Sequence, residues 1–572
     1  MKIDLTTMVL SRPNTWLEIV GRREPGGELG IYLSTLQSDA RPREIFRVLP
    51  LGERGDVLAA EPEATAAVAT LRAAEGTVEL LFDREGRTRI RSEGVGFRLF
   101  RPEPREAGYQ ADYPFEIGGG RIQVNAYRSA KQYMITVLEG KYAIDAPWDG
   151  VTCRTIALDF APSADGSAEI AMEAFDSSWE MSSTYEDRFT ACKAEAESAF
   201  ERWLQATPAP DGGYPETRAR SAYALYAPIV PPHGLLGRKT LLISSGFNGV
   251  WSWDHAFNAM GLAGWQPDMA WDQLLAPFDH QDEYGAIPDV VKNREIVWNF
   301  VKPPVHGWAL RHMLRKTDRL DRLAELYPKL SSWTNWWFRY RDYGGSGFPQ
   351  YNHGNDSGWD NATVFAVPGA LEAPDLSAFL IIQMDALAEA ADRLGRADEA
   401  ANWRNRSEEH LSRMLERFWD GDMFVFRRVG TGEIVRTASL LHWMPVILGA
   451  KLPQPIVKRM AHMLGPKGPF LTDWGLATEQ PASEYYETDG YWRGPIWAPV
   501  TYIAASGLAD AGEGELAREI GRRFLRLCAH SGLAENYDPI TGEAYRDKFH
   551  TWPASVFQLF AADEATATAG RG

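Results

Sequence analysis

Cysteine is scarce in this sequence, which has only Cys153, Cys192 and Cys528 among 572 residues. No two of these cysteines have the short spacing of a zinc-binding pair, and three widely separated thiols do not form a disulfide framework. We therefore expect no zinc site, no other cofactor and no disulfide framework, and the sequence leaves open whether a structural calcium is bound.

Long apolar runs and excess positive charge are also missing. No apolar run reaches the length of a membrane-spanning helix. The segment Met1–Trp16 contains Asp4, Arg12 and Pro13 and lacks the continuous apolar core of a secretory signal. The net charge of −17 argues against a basic face for nucleic acid or for an anionic membrane. We expect a cytoplasmic protein that binds neither, and the sequence indicates no oligomeric state.

Tryptophan, in contrast, is abundant, with 21 residues. Aromatic faces commonly hold sugar rings, but tryptophan also fills the cores of large helical domains, so the count is compatible with both uses. A hydrophobic content of 45% and a charged content of 24% are typical of a globular protein. The length of the chain predicts two domains.

Strand-like alternation comes first in the sequence and helical periodicity follows, which predicts a multidomain protein in three parts. Residues 1–183 are predicted to form an antiparallel β-sandwich, because short alternating segments recur there at regular spacing with Gly- and Asp-rich turns between them. Residues 184–214 are predicted to form a helix and a linker. Residues 215–572 are predicted to form an all-α (α/α)6 toroid.

Within the β-region, Thr77–Phe82 and Thr88–Phe100 flank the turn Asp83-Arg84-Glu85-Gly86, which is a hairpin signal. Four further strands are predicted at Arg121–Tyr127, Tyr133–Leu138, Thr155–Phe160 and Glu169–Phe175. The Ala- and Glu-rich segment Glu63–Glu75 is interpreted as a helix inserted in this domain, with Pro62 suited to its first turn.

The hydrophobic period becomes helical at Tyr185–Gln205, and Ala206–Tyr214, with two prolines and two glycines, is typical of a linker. Met423–Arg428 and Ile434–Arg436 indicate a small hairpin. Twelve helical segments are predicted to begin near Glu216, Asp254, Asp268, Val305, Asp318, Asp375, Ala397, Thr437, Gln454, Arg493, Glu513 and Pro553. Twelve antiparallel helices close an (α/α)6 toroid, whose loops converge on a central pocket. An open solenoid is the alternative, but no fixed-period repeat supports it.

The loop His353–Thr363 is the first candidate for chemistry. Two glycines, two asparagines and two aspartates in eleven residues favour turns over a continuing helix. Trp359 places an apolar wall beside Asp360, and such a wall raises the pKa of a carboxyl group, as a general acid requires. The same composition is also ordinary for a surface loop.

Two more loops combine aromatic side chains with a single charge. Phe247–Phe257 contains Asp254 at a helix start. One interpretation is that this aspartate is simply the N-cap of the helix, a position that aspartate often occupies. Trp251 and Trp253 alternate around it, which favours a shelf for a sugar. Tyr491–Trp497 has a similar character, or is a tight turn packed on the core.

The loop Gly532–Phe549 contains Glu535 in the segment Glu-Asn-Tyr-Asp. Taken alone, this glutamate is typical of a surface loop. Within the set it is the best second carboxylate, since a loop before the last helix of a toroid returns to the same rim as the others.

Taken together, these loops resemble the glycoside hydrolases of family 63 and their relatives. The relatives include processing α-glucosidases, bacterial α-glycosidases, and mannosylglycerate and glucosylglycerate hydrolases, with trehalases more distantly similar. The resemblance covers roughly residues 215–562 and rests on Trp-Ser-Trp-Asp (251–254), Ser-Gly-Trp-Asp-Asn (357–361), Tyr-Trp-Arg-Gly-Pro-Ile-Trp (491–497) and Glu-Asn-Tyr-Asp (535–538). Each motif is short, but all four in this order within a twelve-helix chain are specific. A similar sandwich precedes the barrel in many bacterial members.

The resemblance implies a role for three carboxyl groups. Asp360 corresponds to the general acid, Glu535 to the general base, and Asp254 to the aspartate that holds sugar hydroxyls. The protein would then be an inverting, exo-acting α-glycosidase that removes a terminal glucose- or mannose-like sugar from a small carbohydrate, with the two catalytic carboxyls about 6.5–9.5 Å apart. The remaining predicted substrate-binding residues are Trp251, Trp253, Lys302, Trp359, Arg493 and Trp497.

Three departures from the family pattern bear on the substrate more than on the reaction. Thr501 stands where relatives often have asparagine, and the closing segment reads Phe-His-Thr-Trp-Pro from Phe549. Lys302 precedes two prolines where glutamine is expected. This lysine either pairs with Glu295 or Asp289, points to water, or binds an anionic group on the substrate.

Two other classes of function stay open. A phosphorylase on the same fold would need an anion site, and no Gly-rich loop at a helix start supplies one. A sugar-binding protein without catalysis would be expected to lose one carboxylate, whereas both candidates are present. The sequence leaves open which sugar and linkage are recognised, and whether the substrate is charged.

Overall fold

The computed structural model describes residues 1–37, 43–102, 112–181, 185–210 and 213–569. The chain divides into two compact units, one made of residues 1–206 with 225–231 and the other of residues 207–224 with 232–572. The first unit consists of antiparallel sheets followed by a helix, and the second is mainly helical.

The first unit contains two antiparallel sheets, as the alternating segments predict. The strands are β1 Leu17–Arg23, β2 Leu29–Thr35, β3 Glu44–Leu51, β4 Ala60–Ala64, β5 Ala69–Ala73, β6 Gly76–Phe82, β7 Thr88–Glu93, β8 Gly96–Arg101, β9 Tyr113–Gly118, β10 Arg121–Ala126, β11 Lys131–Glu139, β12 Lys141–Asp145, β13 Ile156–Ala161 and β14 Ser167–Phe175. One sheet has the order β1-β2-β3-β8-β13-β12, and the other has the order β4-β5-β6-β7-β14-β11-β10-β9.

The predicted hairpin is confirmed, since β6 and β7 pair in register from Phe82–Thr88 outward. The predicted strand Thr88–Phe100 is wrong in one respect, because it divides into β7 and β8, which belong to different sheets. The chain turns at Gly94, whose φ of 74° lies in the left-handed region.

The predicted helix at Glu63–Glu75 is wrong. The segment forms the hairpin of β4 and β5, in which Ala64 pairs with Ala69 and Pro62 with Leu71. Because β4 is the edge strand of its sheet, Pro62 can lie there without costing a central strand a hydrogen bond. The helix propensity of Ala and Glu is a weak preference that sheet pairing overrides.

The predicted amphipathic helix after the sheets is confirmed as α1 Phe189–Ala206. It begins four residues after Tyr185, and residues 182–184, where the predicted first domain ends, lie outside the described residues. The predicted linker at 206–214 includes residues 211–212, which also lie outside them.

The second unit contains the twelve predicted helical segments. Eleven are α-helices and one, Leu440–Lys451, is a 3-10 segment. The eleven α-helices are α2 Pro215–Ala224, α3 Ser252–Leu262, α4 Pro267–Leu275, α5 His306–Leu314, α6 Leu320–Tyr340, α8 Pro374–Arg393, α9 Ala397–Phe418, α10 Gln454–Leu464, α11 Ala498–Asp510, α12 Gly514–Ser531 and α13 Thr551–Ala569. A further single turn, α7 Gly354–Ser357, was not predicted. Short 3-10 turns lie at Tyr127–Ser129, Ala276–His280 and Thr363–Phe365. No helix of the described residues is long and apolar enough to cross a membrane.

The last helix of the unit returns to its beginning. α13 packs against both α2 and α3, and it also contacts α11 and α12. Residues brought together in this way are almost three hundred positions apart, as in the hydrogen bond from Ser555 Oγ to Asn258 Oδ1 at 2.8 Å. The ends of the helical region therefore meet.

Miniature sheets between the helices hold the loops in place. Their strands are β15 Ile229–Val230, β16 Thr240–Leu241, β17 Val250–Trp251, β18 Val290–Val291, β19 Ile296–Val297, β20 Gln350–Tyr351, β21 Leu371–Glu372, β22 Phe426–Arg428, β23 Ile434–Val435, β24 Ile496–Trp497, β25 Asn536–Tyr537 and β26 Ala544–Tyr545. The pairing of β22 with β23 confirms the predicted hairpin. Trp251 pairs with Val290, and Trp497 with Asn536, so that loops distant in sequence lie side by side.

Candidate active site

A cavity that opens to solvent, with about 520 Å³ of space including its mouth, lies within the helical unit. It is lined by residues of all four sequence motifs and of the loop that contains Lys302. The lining residues are Ile243, Phe247, Trp251, Trp253, Asp254, Lys302, Gly358, Asp360, Tyr491, Trp492, Trp497, Glu535, His550 and Trp552. Predicted site residues separated by up to 284 positions, from Trp251 to Glu535, thus share one cavity.

Asp254 lies in the first turn of α3, directly after β17. The helix begins at Ser252, so Asp254 is not its N-cap. The residue is only 7% exposed, and burial raises the pKa of its carboxyl to about 8, although the charge of Lys302 opposes the rise. A buried carboxyl that faces a cavity is placed to accept hydrogen bonds from a ligand hydroxyl.

The loop from His353 to Asp360, called here the acid loop, begins with one turn of helix, α7, which the sequence did not predict. Two glycines are required there. A side chain at Gly354 would collide with the backbone of Asp360, and a Cβ at Gly358, whose φ is 75°, would lie 2.7 Å from the Trp253 ring. The loop therefore packs closely against the first aromatic motif.

Asp356 anchors the acid loop to its neighbours. Its carboxylate accepts hydrogen bonds from Arg341 Nη1 at 2.7 Å, from Asn352 N at 2.9 Å and from Val301 N at 3.1 Å. Arg341 follows the end of α6, and Val301 precedes Lys302. A fully satisfied buried carboxylate of this kind fixes loop geometry and is not itself free to react.

The carboxyl group of Asp360 receives a hydrogen bond from the Tyr491 hydroxyl, with 3.2 Å between Oη and Oδ2. Burial raises the pKa of Asp360, while the charge of Lys302 and this hydrogen bond oppose the rise. Asp360 and Tyr491 both line the cavity. A carboxyl with a raised pKa is suited to donate a proton near neutral pH.

Tyr491 is a site residue that the sequence reasoning did not single out. Its φ of 63° is left-handed, which is uncommon for a residue with a bulky side chain. Trp497 Nε1 donates to its carbonyl at 2.9 Å, and the guanidinium of Arg546 lies 5.0 Å from its ring centre. Strained conformations held by several contacts are common at active sites. The sequence feature that could have identified Tyr491 is its place in the aromatic motif, two residues before Arg493.

Glu535 is 7% exposed, and its backbone N–H donates to the Asp547 carbonyl at 2.8 Å. Burial raises the pKa of its carboxyl to about 7, with Arg546 opposing the rise and the negative charges of Asp547 and Asp360 adding to it. Glu535 immediately precedes β25, which pairs with the strand of Trp497.

The aromatic side chains form a continuous packed group. The rings of Trp492 and Trp497 stack at 4.0 Å with an interplanar angle of 7°, and Trp251 and Trp253 line the cavity with them. Trp359 does not line it, because its ring lies buried beside Trp492 with 4.9 Å between centroids. The Asp360 carboxyl thus borders an aromatic wall, but Trp359 supports that wall from outside the cavity.

Lys302 lines the cavity and makes the ion pair with Asp289 that was one of the expected alternatives, with 3.3 Å between Nζ and Oδ1. Its ammonium also donates to the Asn355 carbonyl at 3.0 Å. Glu295, the other predicted partner, pairs with Lys292 at 2.9 Å.

Arg493 does not line the cavity. Its Nε donates to the Asn361 carbonyl at 2.8 Å, and its guanidinium lies 3.9 Å from Glu487. It also lies before a helix rather than at its start, since α11 begins at Ala498. The chain bends at Gly494, whose φ is 152°, and Arg493 braces the loop behind the acid.

Like Lys302, the other two noted departures from the family pattern lie at or near this cavity. His550 and Trp552, from the closing segment, line it directly. Burial lowers the pKa of His550 to about 4, so its ring is neutral at pH 7. Thr501 is buried behind the cavity wall and donates to the Trp497 carbonyl at 2.7 Å. Among the described residues no group of His, Cys, Asp and Glu side chains is arranged to hold a metal ion.

Comparison with known proteins places most of this cavity within a recognised domain. The family model described as the mannosylglycerate hydrolase MGH1-like glycoside hydrolase domain matches residues 248–553. The mannosylglycerate hydrolase of Thermus thermophilus is 24% identical over 413 residues, which are 57% of this chain and 95% of that protein. The glucosylglycerate hydrolase of Mycolicibacterium hassiacum is 24% identical over 435 residues, 59% of this chain and 96% of that protein.

One solved structure extends the likeness of fold to almost the whole chain. A bacterial glucoamylase complexed with acarbose superposes with a TM-score of 0.60 at 11% sequence identity. The match covers 99% of this chain and 94% of the glucoamylase. At this level of identity the likeness concerns the fold alone.

Proposed function

Because the chain belongs to the MGH1-like family of glycoside hydrolases, we propose that it is an inverting, exo-acting α-glycosidase. It would release a terminal glucose- or mannose-like sugar from a small α-glycoside, and mannosylglycerate and glucosylglycerate are the first candidates, since relatives are named for them. The observation that supports this most directly is that Asp360 and Glu535 line one cavity and both have raised carboxyl pKa values.

The proposal includes the architecture of the catalytic part. Residues 215–572 would form the (α/α)6 toroid, after a β-sandwich at residues 1–183 and a helix and linker at 184–214. The twelve helical segments and the packing of α13 against α2 and α3 support closure of the ring. The likeness to a glucoamylase in fold supports it as well.

In the proposed reaction, protonated Asp360 donates its proton to the glycosidic oxygen as the bond to the anomeric carbon breaks. Ionised Glu535 removes a proton from a water molecule that attacks the opposite face of the same carbon. The products are the β-anomer of the sugar and the free alcohol, and solvent then exchanges the protons that reset both carboxyls. The Tyr491 hydroxyl, which already donates to Asp360, stabilises the carboxylate that forms.

The terminal sugar would be held by contacts that the cavity already provides. Asp254 accepts hydrogen bonds from its hydroxyls, and Trp251, Trp253 and Trp497 present apolar surface to its ring. Asp254, Trp253 and Trp497 are buried, so bulk water reaches them little, which strengthens each polar contact. Trp359 and Arg493 would contribute by holding the acid loop and not by touching the sugar.

One observation favours a second assignment of the two catalytic roles. A pKa of about 7 would leave Glu535 partly protonated at neutral pH, which also suits a general acid. In that case Asp360 would be the base. The family resemblance favours Asp360 as the acid, and a substrate that needs no acid separates the two assignments.

The test uses α-mannosyl and α-glucosyl fluoride beside the corresponding glycosylglycerates. Asp360→Asn and Glu535→Gln should each lower kcat on the glycosylglycerates by roughly 10²–10⁴-fold, the usual contribution of general acid–base catalysis. Fluoride departs without protonation, so Asp360→Asn should keep most of its activity on the fluoride, whereas Glu535→Gln should lose it. The opposite pattern would exchange the two roles.

Asp538→Asn is the matched control, because Asp538 lies three residues from Glu535 and binds the Tyr545 hydroxyl at 2.8 Å without lining the cavity. This variant should retain wild-type selectivity between the fluoride and the glycosylglycerate. If either catalytic variant kept a tenth of wild-type activity on the true substrate, that residue would have no catalytic role.

A further inference from the structure

Lys302 connects two loops of the site. Its ammonium lies 3.3 Å from the Asp289 carboxylate, which directly precedes β18, and donates to the Asn355 carbonyl of the acid loop at 3.0 Å. The side chains of the pair are only 11% and 9% exposed. A contact enclosed to this extent is screened little by water, so each partner depends on the other.

The ionisable groups around this ammonium are mostly carboxyls. Asp254 and Asp360 line the cavity with it, and Asp289 lies behind it. The other ionisable groups of the neighbourhood are accounted for as follows: Asp356 pairs with Arg341, Arg546 faces Glu535, and His353 and Tyr491 face Asp360. Lys302 is therefore the cation that three carboxyl groups share.

The charge of Lys302 is already paired. Of the three N–H donors of its ammonium, one is hydrogen-bonded to the Asn355 carbonyl, and the Asp289 carboxylate lies beside the ammonium at ion-pair distance. The remaining donors are suited to a hydroxyl of a bound sugar. An anion entering the cavity would have to compete with Asp289 for the charge while approaching the ionised Glu535.

We propose that Lys302 is a positioning residue that holds the acid loop against Asp289 and supplies the positive charge for the site carboxylates, and that it does not recognise an anionic group of the substrate. The inference rests on the proposed function, since it concerns the same cavity. It predicts that the site around the terminal sugar accepts an uncharged ring, and that any carboxylate on the aglycone is bound by other residues.

The kinetic test compares α-mannosylglycerate with α-mannosylglycerol, which differ by one carboxylate, for the wild type, Lys302→Gln and Lys302→Arg. Lys302→Gln keeps a donor for the Asn355 carbonyl but removes the charge. It should raise KM for the two glycosides by the same factor, within about twofold. Removing the cation also raises the pKa of Asp360, so the falling limb of the kcat profile should move to higher pH, and Lys302→Arg should restore it.

Two kinetic results would overturn the proposal. A tenfold or greater rise in KM for mannosylglycerate with no change for mannosylglycerol would make Lys302 an anion receptor. An unmoved pH profile in Lys302→Gln would reduce the residue to a structural contact.

A second measurement does not depend on activity. Melting temperatures of Lys302→Gln, Asp289→Asn and the double variant form a cycle, in which the double variant should lose less than the sum of the single losses. Additive losses would contradict the pairing. A wild-type enzyme that hydrolyses no glycoside in the panel would contradict the proposed function, while the melting cycle would still decide whether the two residues act as a pair.

Discussion

Replacing Tyr491 by phenylalanine isolates one hydrogen bond of the site. The hydroxyl donates to Asp360 Oδ2 at 3.2 Å, and its removal leaves the ring contacts with Trp497 at 5.1 Å and with the Arg546 guanidinium at 5.0 Å. The left-handed backbone at this position is equally strained in both variants, since the two side chains share the same Cβ. The fold should therefore change little.

The magnitude follows from the geometry of this bond. A hydrogen bond to a charged group contributes about 1.5–3 kcal/mol. The 3.2 Å distance is longer than the best O–H···O⁻ contacts, so the lower end applies. Since 1.36 kcal/mol corresponds to one pKa unit, loss of the bond should move the ionisation of Asp360 upward by about one pH unit.

The assay is kcat as a function of pH with a saturating glycosylglycerate. As the general acid, Asp360 must be protonated, so the falling limb should move to higher pH by about one unit. Below that limb kcat should fall by less than about tenfold, because the carboxylate that forms loses one hydrogen bond. Tyr545→Phe is the control, because its hydroxyl binds Asp538 at 2.8 Å outside the cavity, and its profile should match the wild type. An unmoved limb, or one that moves to lower pH, would refute the assignment of Tyr491 to the acid.

Three further results are expected. Gly358→Ala should lower the free energy of unfolding, measured by chemical denaturation, more than Gly395→Ala does. Both glycines have φ near 75°, but only at Gly358 would the added Cβ lie 2.7 Å from the Trp253 ring. Overpacking typically costs about 1–3 kcal/mol, and equal losses would contradict the close contact. Asp547→Asn removes a negative charge that raises the pKa of Glu535, so the rising limb of kcat/KM should move to lower pH, and a shift to higher pH would remove Glu535 from the role of base. Proton NMR in the first minutes should show the β-anomer of the released sugar; initial α-anomer would require a covalent intermediate and a nucleophilic glutamate.

The order and type of most elements were predictable because their signals are local. Alternating residues identified strands such as β6 and β13, and helical periodicity identified eleven α-helices and the 3-10 segment Leu440–Lys451 of the second unit, but not the single turn α7. The errors arose where partners distant in sequence decide the outcome. The segment Glu63–Glu75 has residues that favour a helix, but pairing between β4 and β5 beside β6 makes it a hairpin.

The residues of the candidate site also fall into those that the sequence predicted and those whose place only the tertiary structure decided. Residue types and motif order were sufficient to propose Asp254, Asp360 and Glu535, since their chemistry is a property of each side chain. Tertiary structure decided which neighbours face the cavity. Trp359 and Arg493 lie in the motifs but pack outside the cavity, against Trp492 and the Asn361 carbonyl.

Lys302 and Tyr491 show why the remainder could not be obtained from the sequence. The direction of a lysine side chain depends on which carboxylate the fold brings near, and here Asp289 lies close enough to pair with it. The hydroxyl of Tyr491 meets Asp360 only because a left-handed residue turns the chain toward a loop 131 positions earlier. The sequence by itself determined the elements and the chemistry available; long-range packing decided which groups meet, because side-chain direction depends on partners that local patterns do not encode.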